Sequence, residues 1–151
     1  MTRTAAREIA VQLSYELAMN ALTAQEVLDS FFESEYYATL ATEDELFTTA
    51  PDETQEKYIR ELVIGVSEHR EELDGYIEKY ARNWKLSRIS KTAVAVLRTA
   101  LFEILYMDEV PDAAAINEAV ELSKGYDEAE TVSFVNGILG GFMRDRETEA
   151  E

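Results

Sequence analysis

The chain has 151 residues, of which 46% are hydrophobic, and a formal net charge of −17. No cysteine is present and His69 is the single histidine, which excludes disulfides and cysteine nucleophiles and argues against thiolate or multi-histidine metal sites. No apolar run approaches the roughly 18 residues that a membrane-spanning helix needs, and no signal-peptide pattern is present, so we expect a cytoplasmic protein.

The spacing of apolar residues predicts helices throughout, because Gly and Pro are few and no stretch alternates as a strand would. The first helix is predicted from about Thr4 to Met19, with a buried stripe at three-four spacing. The second opens at a capping box formed by Thr23 and Glu26 and runs to about Tyr37. The acidic, Thr-rich residues 38–52 are predicted to form a loop.

The middle of the chain contains three further predicted helices. Asp52 and Gln55 form a second cap, which starts helix three. The polar stretch 67–72 bends it into helix four, which includes Leu73 to Trp84. Helix five, from Lys91 to about Met107, has almost no polar face, so we expect it to be the central and most buried helix.

Helices six and seven are predicted near the end of the chain. Helix six begins at Pro111, which suits a helix start, and is expected to stop at Gly125 in a left-handed cap. The segment beginning at Asp127 caps helix seven. Gly140 and Gly141 should let its end fray, because glycine weakens a helix interior.

Several ordered motifs distinguish this chain from an arbitrary helical protein. Gly137 stands inside helix seven, where it costs roughly 1 kcal/mol relative to alanine. We therefore expect a close backbone approach or a surface kept for a partner there. The motifs, in chain order, are Ala6-Arg7-Glu8, Ala10-Val11-Gln12 with Tyr15, Leu73-Asp74, Trp84, Arg88-Ile89, Val96 to Leu105, Ala115 to Lys124 and Phe134 to Leu139. Together they resemble the NusB family of bacterial antitermination factors over the whole chain, except about residues 36–52 and the acidic tail.

The resemblance implies an all-α fold of about seven helices in two packed antiparallel bundles. The chain would be a single NusB-like RNA-binding domain, with subdomains of about 1–69 and 70–145 and an acidic tail at 146–151. The implied function is to bind single-stranded boxA RNA together with NusE, a small ribosomal protein. This complex would act with RNA polymerase to support ribosomal RNA transcription. Neither catalysis nor a cofactor or metal is expected.

The charge distribution permits local RNA contact on an acidic protein. Residues 79–102 carry six Lys or Arg side chains and no acid. A positive segment on a negative body fits contact with nucleic acid at one place. The alternative is that these cations complement helix ends and acidic neighbours.

Arg3 and Arg7 lie four residues apart and should share one helix face, where their planar forks suit phosphate. Arg7 lies off the stripe of Ile9, Leu13 and Leu17, so we expect its removal to open no cavity. The resemblance assigns further residues to the RNA surface: Gln12, Tyr15, Tyr80, Tyr126, Glu130 and Phe134. Each aromatic residue could instead belong to the core, Phe134 especially, and Glu130 could instead complete a capping box.

Other functional classes are weaker. Asn117-Glu118 and Asp74-Gly75 could suggest catalysis, but no base, phosphate loop or nucleophile elbow accompanies them. A protein-only helical module, such as a homodimer hiding the same face, stays open and is distinguished by salt-dependent RNA binding. The RNA-targeting domain of a methyltransferase is disfavoured, because 151 residues leave no room for a cofactor-binding domain.

Overall fold

The structure, a computed structural model, describes residues 1–33, 50–82 and 88–150. Within these ranges it consists of seven α-helices and no strand, which confirms the all-α prediction. The helices are α1 (Arg3–Met19), α2 (Ala24–Phe31), α3 (Glu53–Glu68), α4 (Arg70–Ala81), α5 (Lys91–Tyr106), α6 (Asp112–Tyr126) and α7 (Ala129–Ala150). None of these described helices is both long and apolar enough to cross a membrane.

The first of two compact units comprises residues 1–68. In it α1 and α2 both pack against α3 and contact each other. The fully buried side chains include Ile9, Leu28, Ile59 and Leu62, so each of the three helices contributes to the apolar interior. The predicted subdomain boundary after residue 69 lies near the end of this unit, and the reading of the whole chain as one RNA-binding domain stays a prediction.

Local capping interactions start two helices in this unit, as predicted. The Thr23 hydroxyl accepts from the Glu26 amide at 3.1 Å, and the Glu26 carboxylate accepts from the Thr23 amide at 3.2 Å. Asp52 and Gln55 exchange the same pair of bonds at 2.8 and 3.0 Å. Helix α2 ends at Phe31, so the predicted continuation through Phe32 and Glu33 is wrong. The rest of that prediction, to Tyr37, and most of the predicted loop lie outside the described residues.

The second unit comprises residues 69–151 and is organised around α5. Helix α5 contacts α4, α6 and α7, and eleven of its sixteen residues are buried, which confirms it as the central helix. A bidentate ion pair joins α4 to α5: Arg98 donates to both oxygens of Asp74 at 2.7 and 2.8 Å. Asp74 therefore has a structural partner.

Two boundary predictions in this unit are wrong or untested. Helix α6 continues through Gly125 to Tyr126 and stops because Asp127 is extended, so the predicted left-handed glycine cap is wrong. Helix α4 ends at Ala81, where Arg82 has a positive φ of 55°. Trp84, predicted in this helix, lies outside the described residues.

The glycines of α7 act differently from prediction. The helix continues to Ala150, so the expected fraying at Gly140 and Gly141 is wrong. A Cβ added at Gly141 would lie 3.0 Å from the Tyr80 ring, so the close approach is here. Among the described residues, nothing lies within 4 Å of a Cβ at Gly137, so close packing by them does not explain that glycine. Its other predicted use, a surface kept for a partner, stays a prediction.

Candidate nucleic-acid interface

Two arginines lie over one aromatic ring at the start of α1. The Thr2 hydroxyl accepts from the Ala5 amide at 3.0 Å and so begins the helix. The guanidinium carbons of Arg3 and Arg7 lie 4.1 and 5.8 Å from the centroid of the Tyr58 ring. This arrangement confirms that the two arginines share one face of α1.

Arg7 is buried, which contradicts the expectation that it lies off the packed face. Its exposed fraction is 5%, whereas Arg3 is exposed. Val11 and Ser14 follow Arg7 by four and seven residues, on the same side of the helix, and both are buried. The packed face of α1 is therefore wider than the stripe of leucine and isoleucine suggested. The contact of Arg7 with RNA stays a prediction.

Gln12 and Tyr15 lie on another side of α1. At about 100° per residue, Tyr15 is rotated by roughly 120° from Arg3, and Gln12 by roughly 180°. Tyr15 is 39% exposed and Gln12 is half-buried. The four predicted residues of α1 therefore do not share one face, and RNA binding by Gln12 and Tyr15 stays a prediction.

A cleft of about 140 Å³ opens in the second unit between the start of α5 and the first turns of α7. One wall is formed by residues 88–90 and the other by Glu130, Thr131 and Phe134. Phe134 is half-buried, which leaves part of its ring accessible. It is therefore not fully buried, as it would be if it belonged to the core. The structure therefore brings two predicted site residues, Glu130 and Phe134, to one place.

The same cleft includes Arg88, which the predicted site omitted. Arg88 is exposed, and no carboxylate of the described residues forms an ion pair with it. The sequence did place it in the positive segment 79–102. A second indication in the sequence was that Arg88 lies two residues before Ser90, the N-cap residue of α5. Only the fold shows that Phe134 lies opposite Arg88.

Tyr126 and Glu130 flank the turn between α6 and α7. Tyr126 is 42% exposed, which confirms the exposed aromatic expected in this polar turn. A capping box between Asp127 and Glu130 is absent, because the Asp127 amide donates to the Ser123 carbonyl and its carboxylate accepts from Ser90. The RNA contacts of Tyr126 and Glu130 stay predictions.

Tyr80 lies elsewhere in the second unit. Its hydroxyl donates to Asp145 at 2.6 Å, and its ring lies edge-on to Phe142 at 6.2 Å. Burial and this hydrogen bond raise the pKa of Tyr80. These contacts are roughly 12–17 Å further along α7 than Phe134, at 1.5 Å per residue. Tyr80 therefore does not line the cleft, and stacking of RNA on it stays a prediction.

Solved structures share this fold. NusB of T. maritima aligns with a TM-score of 0.74 and 25% identity, covering 93% of this chain and 89% of that one. A chain from a crystal structure of the antitermination factors NusB and NusE in complex with dsRNA aligns with a TM-score of 0.74 and covers 95% of this chain and 96% of its own. At 21% identity, the second match supports the fold alone.

Sequence comparison gives the relationship directly. The transcription antitermination protein NusB of Acetivibrio thermocellus is 42% identical, over 95% of this chain and 90% of that protein. The same protein of Clostridium perfringens is 37% identical, over 92% of this chain and 94% of that protein. The model of the NusB family matches residues 4–144. The chain therefore belongs to the NusB family.

Proposed function

We propose that this protein is a transcription antitermination factor that binds single-stranded boxA RNA together with NusE and, with RNA polymerase, supports ribosomal RNA transcription. The observation that carries the proposal is the cleft in which Arg88 lies opposite Phe134, in a member of the NusB family. Its relatives are named as antitermination proteins, and a chain of like fold comes from a complex of NusB and NusE with dsRNA.

The two side chains of the cleft suit the two parts of a nucleotide. An unpaired base can stack on an accessible aromatic ring such as Phe134, at about 1–3 kcal/mol per base. A guanidinium group can donate two parallel hydrogen bonds to a phosphate. Arg88 has no ion pair with a described carboxylate, so no such contact has to break before it binds phosphate.

Additional contacts would come from the other predicted residues. Tyr126 presents an exposed ring at the neighbouring turn, and Arg3 presents an exposed guanidinium on α1. Glu130 lines the cleft with a negative charge, which opposes a phosphate placed there. The proposed RNA-binding set consists of Arg3, Arg7, Gln12, Tyr15, Tyr80, Tyr126, Glu130 and Phe134.

Dependence on a basic partner follows from the overall charge. The chain has 31 acidic and 14 basic residues. Few phosphates can therefore be neutralised by this protein alone, and affinity for RNA depends largely on such neutralisation. A ribosomal protein such as NusE would supply cations and so strengthen binding.

The test is a titration of labelled boxA RNA, with a scrambled RNA of equal length as the control. We expect weak binding by the isolated protein and binding about 5–150-fold tighter with saturating NusE, which corresponds to about 1–3 kcal/mol of coupling. Arg88→Ala should weaken binding and make the salt dependence shallower by about 0.7 in log–log slope. Arg144→Ala is the matched control, because this exposed arginine lies roughly 15 Å along α7 from Phe134.

Two results would contradict the proposal. Equal affinity for boxA and scrambled RNA in the presence of NusE would exclude specific recognition. Equal losses in Arg88→Ala and Arg144→Ala would show that the cleft is not the contact site and that only net charge matters.

A homodimer without RNA binding is a second candidate, favoured by apolar exposure near the end of α1. Tyr15, Met19 and Leu22 are 39%, 49% and 47% exposed. Sedimentation equilibrium of the wild type and of Met19→Gln would detect it. A concentration-dependent dimer that the substitution dissociates, without any RNA binding, would favour this candidate.

A further inference from the structure

Asp127 connects the end of α6 to the start of α5 through two hydrogen bonds. Its backbone amide donates to the Ser123 carbonyl at 2.9 Å, which closes α6. Its side-chain Oδ1 accepts from the Ser90 hydroxyl at 3.0 Å. Because Ser90 immediately precedes α5, the second bond joins two segments that are 37 residues apart in the chain.

The Ser90 hydroxyl has two functions at this place. Its oxygen accepts from the Ala93 amide at 3.0 Å and so caps α5. A hydroxyl carries one proton, and here that proton is donated to Asp127. Since the cap requires only the oxygen, the donated bond is an additional feature and is not needed to start the helix.

The bond lies at the RNA cleft. Ser90 is one of its lining residues and follows Arg88 by two positions. Asp127 directly follows Tyr126 and precedes Phe134 by seven positions, so it fixes the turn from which the opposite wall begins. The Ser90–Asp127 hydrogen bond therefore connects the cation-bearing wall to the aromatic wall.

The carboxylate of Asp127 is only partly paired. Its second oxygen, Oδ2, is buried and has no hydrogen-bond partner among the described residues. Leaving such an atom unpaired is unfavourable. A negative charge beside a phosphate site is also unfavourable for RNA. The acceptor that it provides to Ser90, next to the start of α5, offsets these costs.

We propose that the Ser90–Asp127 hydrogen bond is a positioning device that holds Arg88 and Phe134 at the separation one nucleotide requires. Asp127 and Ser90 act through these two residues and need not touch RNA. The inference rests on the proposed function and adds to it two residues outside the predicted RNA-binding set.

The test compares two substitutions that remove the same charge. Asp127→Ala removes both the carboxylate and the acceptor, whereas Asp127→Asn retains an acceptor oxygen for Ser90. Electrostatics alone predicts tighter RNA binding for both variants. Positioning predicts that Asp127→Ala binds boxA RNA with NusE about three- to tenfold more weakly than the wild type. It also predicts that the conservative Asp127→Asn binds this RNA more tightly than the wild type.

Substitutions of Ser90 give an independent measurement. Ser90→Thr keeps the cap and the donor and should restore binding, whereas Ser90→Ala removes both. Ser90→Ala also weakens α5, so RNA affinity is corrected for the folded fraction measured by urea titration. The double variant Ser90→Ala/Asp127→Ala should bind RNA no more weakly than the weaker of the two single variants. The reason is that both substitutions remove the same Ser90–Asp127 hydrogen bond.

The outcomes separate this inference from the proposed function. If the wild type binds boxA RNA and Asp127→Ala binds as tightly as Asp127→Asn, the positioning role is wrong and the proposed function stands. If the wild type with NusE does not bind boxA RNA, the proposed function fails and the inference with it. Weaker binding by Asp127→Ala, with rescue by Asp127→Asn and Ser90→Thr, supports both.

Discussion

Arg7→Ala distinguishes a packing role of this arginine from its predicted contact with RNA. The side chain is 5% exposed and lies over the Tyr58 ring, in a face of α1 that also buries Val11 and Ser14. The substitution removes a long aliphatic stem from a packed environment and a cation from an aromatic surface. Both losses act on the folded state before any RNA is present.

The magnitude follows from these contacts. Three buried methylene groups at about 0.8 kcal/mol each give about 2.4 kcal/mol. The guanidinium is 5.8 Å from the ring centroid, near the limit of a useful cation–π contact, and adds about 0.5 kcal/mol. Partial relaxation of the neighbours offsets part of this sum. We expect the free energy of unfolding to fall by about 2–3 kcal/mol.

The assay is urea unfolding of Arg7→Ala beside Arg3→Ala. Arg3 lies over the same ring at 4.1 Å but is exposed, so its loss should cost at most about 1 kcal/mol. Both variants are then titrated with boxA RNA and NusE, and affinity is expressed per folded molecule. The two arginines carry the same charge and lie over the same ring, but Arg7 is farther from it and more buried. A larger loss of stability in Arg7→Ala would therefore reflect its burial.

One result would refute the packing role of Arg7, and another would refute its contact with RNA. Stabilities of the two variants that agree within about 0.5 kcal/mol would mean that Arg7 is not packed as described. Unchanged RNA affinity per folded molecule in Arg7→Ala would mean that Arg7 is only structural and does not contact RNA.

Three further predictions concern the second unit. Leu101→Ala, at a fully buried site of α5, should reduce the free energy of unfolding by about 2–5 kcal/mol, and a loss below about 1 kcal/mol in urea would contradict a core position. The pKa of Tyr80 is raised in the fold, which favours the neutral form of its hydroxyl. The stability that Tyr80 contributes to the fold is therefore complete below about pH 10 and is lost as pH rises through the raised pKa. Tyr80→Phe should therefore unfold with less dependence on alkaline pH, and equal dependence would exclude this cause. Tyr126→Ala should weaken RNA binding by about 1–3 kcal/mol with little change in stability, and Glu130→Asn should bind RNA equally or more tightly. Unchanged binding by Tyr126→Ala together with weaker binding by Glu130→Asn, measured by RNA titration, would exclude this turn from the RNA surface.

Local interactions made most of the fold predictable from the sequence. The caps at Thr23–Glu26 and Asp52–Gln55 involve residues three apart, so their spacing alone indicates the bonds. The central position of α5 followed from its lack of a polar face. At Gly125 the local rule failed, because an extended Asp127 ended the helix one residue later without a positive φ.

Non-local contacts explain what the sequence could not show. Arg88 and Phe134 are far apart in the chain and meet only because α5 and α7 pack together. The burial of Arg7 depends on Tyr58, which comes from another helix. The Tyr80 ring beside Gly141 likewise joins two helices. The sequence could therefore name Phe134 as a candidate, but only the fold shows which residues lie beside it. Its contact with RNA stays a prediction.

Under the proposed function, local charge at the cleft acts in addition to the overall charge. At physiological ionic strength, charges beyond about 8 Å are largely screened, so the side chains that line the cleft act most strongly on a phosphate placed there. Among the described residues that line the cleft, the charged ones are Arg88 and Glu130, and Asp127 lies beside the cleft through its bond to Ser90. One lining cation beside one lining carboxylate gives weak attraction for phosphate, so the proposed RNA affinity relies on stacking on Phe134 and on a partner that brings cations. The proposed function therefore assigns base recognition to this cleft and most of the phosphate binding to NusE.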